Sequence, residues 1–533
     1  MLQMSINTML GIGMVLLDLS FVWATKSAID IATHRPSPIP SLTAAFWLLG
    51  ALMAARIALS FCASWVGAIL GVKASNTMRR HVFRHLLNSQ WQPLRSLHTG
   101  DIMNRLETDV DSVVSFVTQS LPQFITTIVQ FAGAFLFLFY MDSVLACVVV
   151  IILPFFLLAS KLYVKKLKAL THEVRTEDSR IQSLMQETLQ HVMVVKTLMR
   201  TALFTQRLDA MQRDLHGKII HRTKFSSVSS TVTTMGFATG YLVAFIWGTV
   251  NLEQGAITYG AMIAFIQLVN KIQAPVQSLT KFVPLFIRTS TSTERIMEIA
   301  HMPQECTQST PALPAPLGIR FSHVSFSYCQ GERNVLNDFT YTFRPGKATA
   351  IVGETGAGKT TLIKMLFSLV APQKGEVALV DAEGNEWPIS AEQRSQFCYV
   401  PQGNTLFSGT IRSNLMLGNP DATEEEMRRA LQLAEASFVN ERPEGLDAPC
   451  GETGDGLSEG QAQRVAIARA LLTPGKVLVF DEATSALDAD TERKVLKNIA
   501  THYPHTTAIF ITHREEVLNH VAETLHMHRT KHT

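Results

Sequence analysis

Charge is scarce in this sequence. Only 17% of its 533 residues are Asp, Glu, Lys or Arg, while 47% are hydrophobic; ordinary soluble domains carry about a quarter charged residues. Intrinsic disorder is thereby excluded. The net charge is +3, too small for a protein that coats nucleic acid, and no nucleic-acid partner is expected. Cysteine is sparse as well. Cys62, Cys147, Cys306, Cys329, Cys398 and Cys450 are scattered without CxxC or zinc-like spacing, which excludes a disulfide scaffold and leaves incidental thiols in a reduced, cytosol-facing protein. No Lys or Arg precedes Lys26, so the positive n-region of a signal peptide is missing and residues 9–24 read as a retained membrane helix.

Charge is missing in blocks. Between Ser112 and Ser160 the one charged residue is Asp142, and between Phe225 and Asn270 it is Glu253. Each block can hold two spans of ~20 residues joined by a hairpin at the lone acid, here 124–140 with 144–158, and 232–250 with 256–269. Residues 9–24 and 44–71 read as two more spans, with Asp18 and Arg56 inside them. Intramembrane ionisable residues are functional candidates by default. So, more weakly, are the polar residues Ser229, Ser230, Thr231, Thr233, Thr234 and Thr239 of the fifth span, although such residues commonly serve only to hydrogen-bond between helices.

Six spans place both termini on one side. The segments between spans two and three (72–111) and four and five (161–224) are long and basic, so the positive-inside bias puts them and the termini in the cytoplasm. In the second, Ile181, Leu184, Met185, Leu189 and Val192 recur at helical spacing. Both segments are expected to be helices that continue out of the membrane and turn back, reaching roughly 35–40 Å beyond it over ~25 residues.

Residues 301–317 carry Pro303, Pro311, Pro314 and Pro316 among Gln, Thr and Ser, a linker composition. Beyond it, 318–533 switches to short β-rich runs and amphipathic helices, as in one α/β domain.

That second half carries the chemistry. Gly353-Glu354-Thr355-Gly356-Ala357-Gly358-Lys359-Thr360 matches the P-loop pattern in full, after an apolar strand-like 348–352 and before a helical run that opens at Thr361. Its backbone N–H groups and helix N-terminus suit nucleotide phosphates, Lys359 adds a positive charge, and the Thr360 hydroxyl reaches Mg²⁺. The buried strand 477–480 ends in Asp481 and Glu482. Asp481 suits Mg²⁺ binding; Glu482, pointing differently, can orient or deprotonate the attacking water. ATP and Mg²⁺ are the expected cofactors.

Leu457-Ser458-Glu459-Gly460-Gln461, shortly before Asp481, resembles the LSGGQ signature of ATP-binding cassette (ABC) ATPases, with Glu459 where glycine is frequent. The resemblance covers the whole second half and implies further roles. Tyr328 of Phe326-Ser327-Tyr328 resembles the aromatic that stacks on adenine. Gln402 of Tyr399-Val400-Pro401-Gln402 resembles the glutamine that links Mg²⁺ to the membrane domain. Asp488, ending Ser485-Ala486-Leu487-Asp488, resembles the D-loop aspartate, and His513 the switch histidine that contacts the γ-phosphate. The membrane half resembles exporter-type ABC permeases. Thr99 to Asp111 is similar to their first coupling segment, Gly255 to Gly260 with Pro275 to the start of their sixth helix, and Gly451-Glu452-Thr453-Gly454 to an exporter-associated loop. Relative to many members, the elbow helix ahead of the first span and the C-terminal helices are expected to be absent or short.

The sequence is thus expected to fold as a multi-domain membrane protein: an all-α, six-helix exporter-type transmembrane domain at 1–300, the linker at 301–317, and an α/β P-loop ATP-binding domain at 318–533. By the resemblance it is a half-transporter of the inner, cytoplasmic membrane that pairs with a second copy of itself, a heterodimer with an unequal partner being the alternative. The P-loop of one copy would face Ser458, Gly460 and Gln461 of the other, with coupling turns near 97–105 and 197–205. Its cargo is left open among lipid, peptide and drug-like amphiphiles. The alternative is an ABC-like ATPase that gates a membrane partner without moving cargo.

Overall fold

Long runs with neither charge nor helix breaker can satisfy their backbone in lipid only as helices or closed barrels, and here they form helices. The computed structural model describes residues 2–305, 313–328, 334–451 and 456–529; the side chains of 2–3, 152–165, 229, 233, 277, 280 and 515 also lie outside the description. Cys306, Cys329, Pro311 and the loop Glu452-Thr453-Gly454 therefore fall outside the described residues, as do the side chains of Ser229 and Thr233. The chain divides into two units, one of residues 1–84 and 99–300 and one of 85–98 and 301–533.

The first unit is all-helical. Helices α1 (Leu2–Ala32) and α2 (Leu42–Leu87) come first, and the chain then reverses through the short α3 (Trp91–Arg95), which belongs to the second unit. A third run follows as α4 (Thr99–Asn104), α5 (Val110–Ser115) and α6 (Leu121–Met141), joined by π-helical turns at Arg105–Asp109 and Phe116–Ser120. Next come α7 (Ser143–Gln190), the short α8 (Val192–Thr197), α9 (Thr201–Glu253) and α10 (Tyr259–Ala300). Among the described residues four stretches, Met4–Ala32, Leu42–Leu87, Thr99–Met141 and Thr201–Glu253, are long and apolar enough to cross a membrane. The fourth expected span overlaps side chains outside the description, and the sixth lies on α10, where Lys271 and Lys281 interrupt the apolar run.

The lone acid at the first hairpin is fully engaged. Asp142 caps α7 by accepting from Leu145 N at 2.9 Å and accepts from Trp247 Nε1 on α9 at 2.8 Å. Around it Leu138, Leu145, Phe265, Leu268 and Ile272 are buried with Ala134, Ala146, Ala244 and Ala264, small residues that let helices approach closely in lipid. The hydroxyls of Thr231, Thr234 and Thr239 donate to carbonyls four residues back on α9, so they satisfy their own helix.

The first reversal lies at 88–98, upstream of the expected 97–105. Thr99 to Asp111 instead returns as helix and spends its charges on α10. Buried Arg105 bonds Asp101 Oδ2 (2.8 Å), Glu298 Oε2 (2.7 Å) and the Arg295 carbonyl (2.7 Å). Arg295 pairs with Asp101 and Asp109, and Ser292 Oγ donates to Asp109 Oδ1 at 2.8 Å. The second reversal falls at 198–200, between α8 and α9, inside the expected 197–205. There α7 and α9 enclose a cavity of about 300 Å³ lined by Leu184, Leu189, Val192, Phe204 and Leu208, and leave Met193, Leu198 and Met199 exposed.

In the second unit, β1 (Gly318–Phe326), β2 (Leu336–Phe343), β4 (Lys374–Val380) and β5 (Glu386–Pro388) form an antiparallel sheet in the order β2-β1-β4-β5. Strands β3 (Ala348–Gly353), β6 (Phe397–Val400), β9 (Val477–Asp481), β10 (Thr507–Ile511) and β11 (Glu523–Met527) form a parallel sheet in the order β11-β3-β10-β9-β6. Strands β9 and β10, apolar except for Asp481 and Thr507, are buried along their full length, as central parallel strands must be. β7 (Gly409–Thr410) pairs with β8 (Pro449–Cys450). The helices are α11 (Lys359–Leu366), α12 (Ile411–Met416), α13 (Glu424–Leu433), α14 (Phe438–Glu441), α15 (Glu459–Leu472) and α16 (Ala489–His502). One apolar core joins both sheets and α11; another gathers α12, α13, α15 and α16.

The Pro-rich connection is pinned at both ends. Ser89 bridges Gln304, Gln90 N donates to Pro303 O at 2.9 Å, and Glu305 N donates to Asn88 O at 2.8 Å. Arg394 holds both Glu305 carboxylate oxygens at 2.5 and 2.8 Å, and Leu313 and Leu317 are buried in the sheet core.

Candidate functional site

Strand β3 delivers the chain into the P-loop and α11 carries it away. Between them Gly356 and Gly358 adopt φ of 84° and 96°, the left-handed region that glycine enters without penalty, so the loop can wrap an anion with its amides. Glu354, Thr355, Gly356 and Thr360 are exposed, whereas Ala357, Gly358, Lys359 and Thr361 are buried. Lys359 Nζ donates to the Gly353 carbonyl and to His513 Nε2, the latter at 2.9 Å. Burial pushes its ammonium below the ordinary lysine range, and the nearby Glu482 and Asp481 carboxylates offset part of that shift.

Strand β9 sets Asp481 beside this lysine. Burial holds the Asp481 carboxyl above its usual range and Glu482 adds to the effect, while the hydrogen bond from Tyr399 and the charge of Lys359 pull the other way. Tyr399 Oη donates to Asp481 Oδ2 at 3.3 Å, and its phenol is pushed strongly upward by burial and by Asp481. Glu482 follows with φ of 48°, a costly conformation for a residue with a side chain. Its N–H donates to Ile511 O at 3.0 Å, which locks the turn onto β10. Its carboxylate accepts from Gln402 Nε2 at 2.6 Å and lies 3.7 Å from His513 Nε2. Gln402, Glu482, His513, Asp481 and Lys359 thus converge on the P-loop from four segments.

Tyr328 joins them from the end of β1. Its ring packs edge-on against Phe326 at 5.0 Å, with Lys364 Nζ 5.4 Å and the Arg95 guanidinium 5.7 Å from its centroid. Its hydroxyl is 3.1 Å from Thr361 Oγ1 and accepts from Lys364 at 3.3 Å.

Ser458, Gly460 and Gln461 stand elsewhere, at the start of α15. Ser458 is the N-cap in a reciprocal capping box with Gln461 (3.3 and 3.1 Å). Gly460 lies so near the following loop that a Cβ there would sit 2.8 Å from Ala486 O. Gln463 bonds Ser485 Oγ and Ala486 N, so helix and loop form one piece. Asp488 caps α16 by accepting from Thr491 N at 3.0 Å, and those bonds hold its carboxyl below the usual range. Among the described residues no hydrogen bond or ion pair joins Ser458, Gly460 or Gln461 to the P-loop.

Sequence reasoning passed over Tyr399, Arg514 and Arg95. Arg514 holds the Leu487 and Ser485 carbonyls and Glu492, fixing the loop that leads into α16. Its adjacency to His513 and the adjacency of Tyr399 to Pro401-Gln402 were available signals. Nothing local could place Arg95 over Tyr328, because that contact depends on chain far apart in sequence. For a metal, no cluster of three or more His, Cys, Asp or Glu occurs among the described residues. A hydroxyl (Thr360), a carboxylate (Asp481) and an amide (Gln402) suit Mg²⁺, which takes few protein ligands and is completed by phosphates and water.

A P-loop ATPase carried on one chain with membrane-crossing helices is the class this fold and site define. Residues 4–276 match the ABC transporter transmembrane region and 336–485 the ABC transporter ATPase family. The probable multidrug resistance ABC transporter ATP-binding/permease protein YheI of Bacillus subtilis is 28% identical over 449 residues, 83% of this chain and 76% of its own. The ATP-dependent lipid A-core flippase of Desulfotalea psychrophila is 29% identical over 451 residues, 84% and 78% of the two chains. A bacterial Atm1-family ABC exporter with ATP bound shares the fold, with TM-score 0.81 at 22% identity over 98% of this chain and 94% of its own. The chain belongs to the ABC transporter family. It is an integral membrane protein that couples ATP hydrolysis to transport.

Proposed function

We propose that this chain is half of an ATP-driven exporter that moves an amphipathic or hydrophobic substrate across the inner membrane, residues 1–300 forming the pathway, 301–317 the connection and 318–533 the engine. The observation that carries the reading is the convergence of Gln402, Glu482 and His513 on Lys359, on a chain whose other unit is membrane helix. Relatives named for lipid A-core and for multidrug resistance support an amphipathic cargo.

In this reading the loop from Gly353 to Thr361 cradles the triphosphate, with Lys359 neutralising its charge, and Tyr328 stacks on the base. Thr360, Gln402 and Asp481 would hold Mg²⁺, which when bound screens the phosphate oxygens. Glu482 accepts the proton of the attacking water, Gln402 orients its carboxylate, and His513 contacts the γ-phosphate. The separation of Ser458, Gly460 and Gln461 from the P-loop supports a site completed by a second copy, whose α15 N-terminus would face the γ-phosphate; Asp488 would lie at the same junction. ATP binding draws two copies together and opens the pathway outward, and hydrolysis resets it.

The test is ATPase activity of the purified chain in nanodiscs against a panel of lipids, peptides and hydrophobic cations. Stimulation by a subset of one amphiphile class supports export. Turnover indifferent to every compound would favour a module that gates a membrane partner.

A further inference from the structure

Outside the ATP site, one group of charges lies where charge is most costly. Asp18 on α1, Arg56 on α2 and Lys271 on α10 converge inside the membrane unit. Arg56 Nε is 2.7 Å from Asp18 Oδ1, and Lys271 Nζ is 3.5 Å from Asp18 Oδ2. Among the described residues neither cation has another carboxylate within ion-pair distance. Two positive charges share one negative charge, and the group carries a net charge of +1.

The three sit at one depth. Asp18 precedes the Ala32 end of α1, and Arg56 and Lys271 follow the Leu42 and Tyr259 starts of α2 and α10, each by ~18–21 Å of helix rise. A hydrocarbon core is ~30 Å thick, so where these helix ends lie level with its face, all three groups fall inside it. Helices α1 and α2 otherwise approach each other only locally, as where a Cβ on Gly13 would lie 3.1 Å from Leu59 and one on Gly67 3.5 Å from Asn7.

A single Asp–Arg pair would be self-contained. Lys271 adds a second cation to the same carboxylate, with no further carboxylate within ion-pair distance among the described residues, and an excess charge in lipid calls for a partner. Arg56 is 59% exposed, so the group is open on the α2 side, where Met53, Ile57 and Phe61 present an apolar surface at helical spacing.

We propose that Asp18, Arg56 and Lys271 form a headgroup site for an amphiphile bearing one negative group, a carboxylate or a phosphate, with its acyl chain along the α2 face. This deepens the export reading by naming the cargo class and rests on it for the word cargo; the binding itself does not depend on ATP.

The experiment uses the full chain in zwitterionic nanodiscs and four fluorescent probes of equal acyl length, ending in carboxylate, phosphate, phosphocholine or quaternary ammonium. Both anionic probes are expected to bind tighter than the other two. Lys271→Gln and Arg56→Gln should each weaken them about tenfold, the loss of one charge-assisted contact, while Lys271→Arg retains binding and the ammonium probe is unaffected. The ratio of carboxylate to phosphate affinity identifies the headgroup. Displacement of the anionic probes by inorganic phosphate alone would assign the site to a free anion and overturn the amphiphile. So would unchanged anionic affinity in both glutamine variants, or equal binding of the ammonium probe. Basal ATPase of the same samples reports separately on the engine: binding without ATPase would sink the export reading and leave the site standing, and ATPase without charge-selective binding would do the reverse.

Discussion

At Glu482 a carboxylate is held on a left-handed backbone between Gln402 and His513. Such a conformation costs of order 1–3 kcal/mol and persists only where its surroundings impose it. Glu482→Gln keeps the shape and loses the basicity, so nucleotide binding should survive while turnover falls by roughly two to four orders of magnitude; single-turnover hydrolysis beside equilibrium ATP binding measures both. Near-normal hydrolysis would remove Glu482 as the base. Lys359 acts through its charge, and burial lowers its pKa from 10.5. The ammonium is therefore lost as pH rises through this lowered value, and ATP affinity in nucleotide-free protein should weaken before an ordinary lysine would titrate, as a titration of the ATP Kd against pH would show. Tyr328 is a place where sequence told half the story. Adenine stacking predicts a raised KM for Tyr328→Ala with kcat little changed, and gives the hydroxyl nothing to do. The structure gives it Thr361 and Lys364, so Tyr328→Phe should also raise KM, by about two- to tenfold, the worth of a hydrogen bond. An unchanged KM in Phe would show those contacts to be dispensable. The proposed catalytic side chains were legible because each stands in a short motif; their spacing in three dimensions was not, since β6, β9 and β10 are brought side by side by pairings no local pattern encodes.

The elements themselves were legible to different degrees. Buried parallel strands and the helix after the P-loop announce themselves by apolar runs and by glycine. The reversal after α2 did not, because a five-residue helix containing Pro93 leaves no periodicity. The two π-helical turns ahead of α6 add residues to a turn without changing the apolar pattern enough to read. At α15 the consequence is testable. A side chain on Gly460 must displace the Ala486 carbonyl, and Gln463 would carry the shift into Ser485 and Ala486. Gly460→Ala should therefore leave ATP binding at the P-loop within about twofold, since Lys359 and Tyr328 are untouched, and cut steady-state ATPase at least about tenfold, an effect of about 1.4 kcal/mol. A calorimetric melt alongside would separate this from unfolding, and full activity would show that the loop after β9 yields freely.

The whole molecule exposes what a monomer in water would hide. Met193, Leu198 and Met199 stand uncovered where α7 gives way to α9, and an apolar patch of this kind marks an interaction site. In the proposed reading, where Ser458 and Gly460 of one copy complete the site of Lys359 and Glu482 of the other, a two-fold dimer accounts for both features. Light scattering in detergent should give twice the chain mass, and Leu198→Glu with Met199→Glu should shift the population toward monomer and lower ATPase; a wild-type monomer with full activity would refute the pairing. Beyond assembly, the bridge between Ser89 and Gln304 bears on how the molecule is made. Those residues are 215 apart, and the second cannot meet the first until the ribosome has passed it. At ~5–20 residues per second the stretch around Trp91 waits roughly 10–45 seconds for its partner, while membrane insertion of everything between proceeds. The clip is then a record of completed insertion. A chain arrested before residue 304 has no way to close it, and its exposed 85–98 segment is a handle by which quality control could tell unfinished molecules from finished ones.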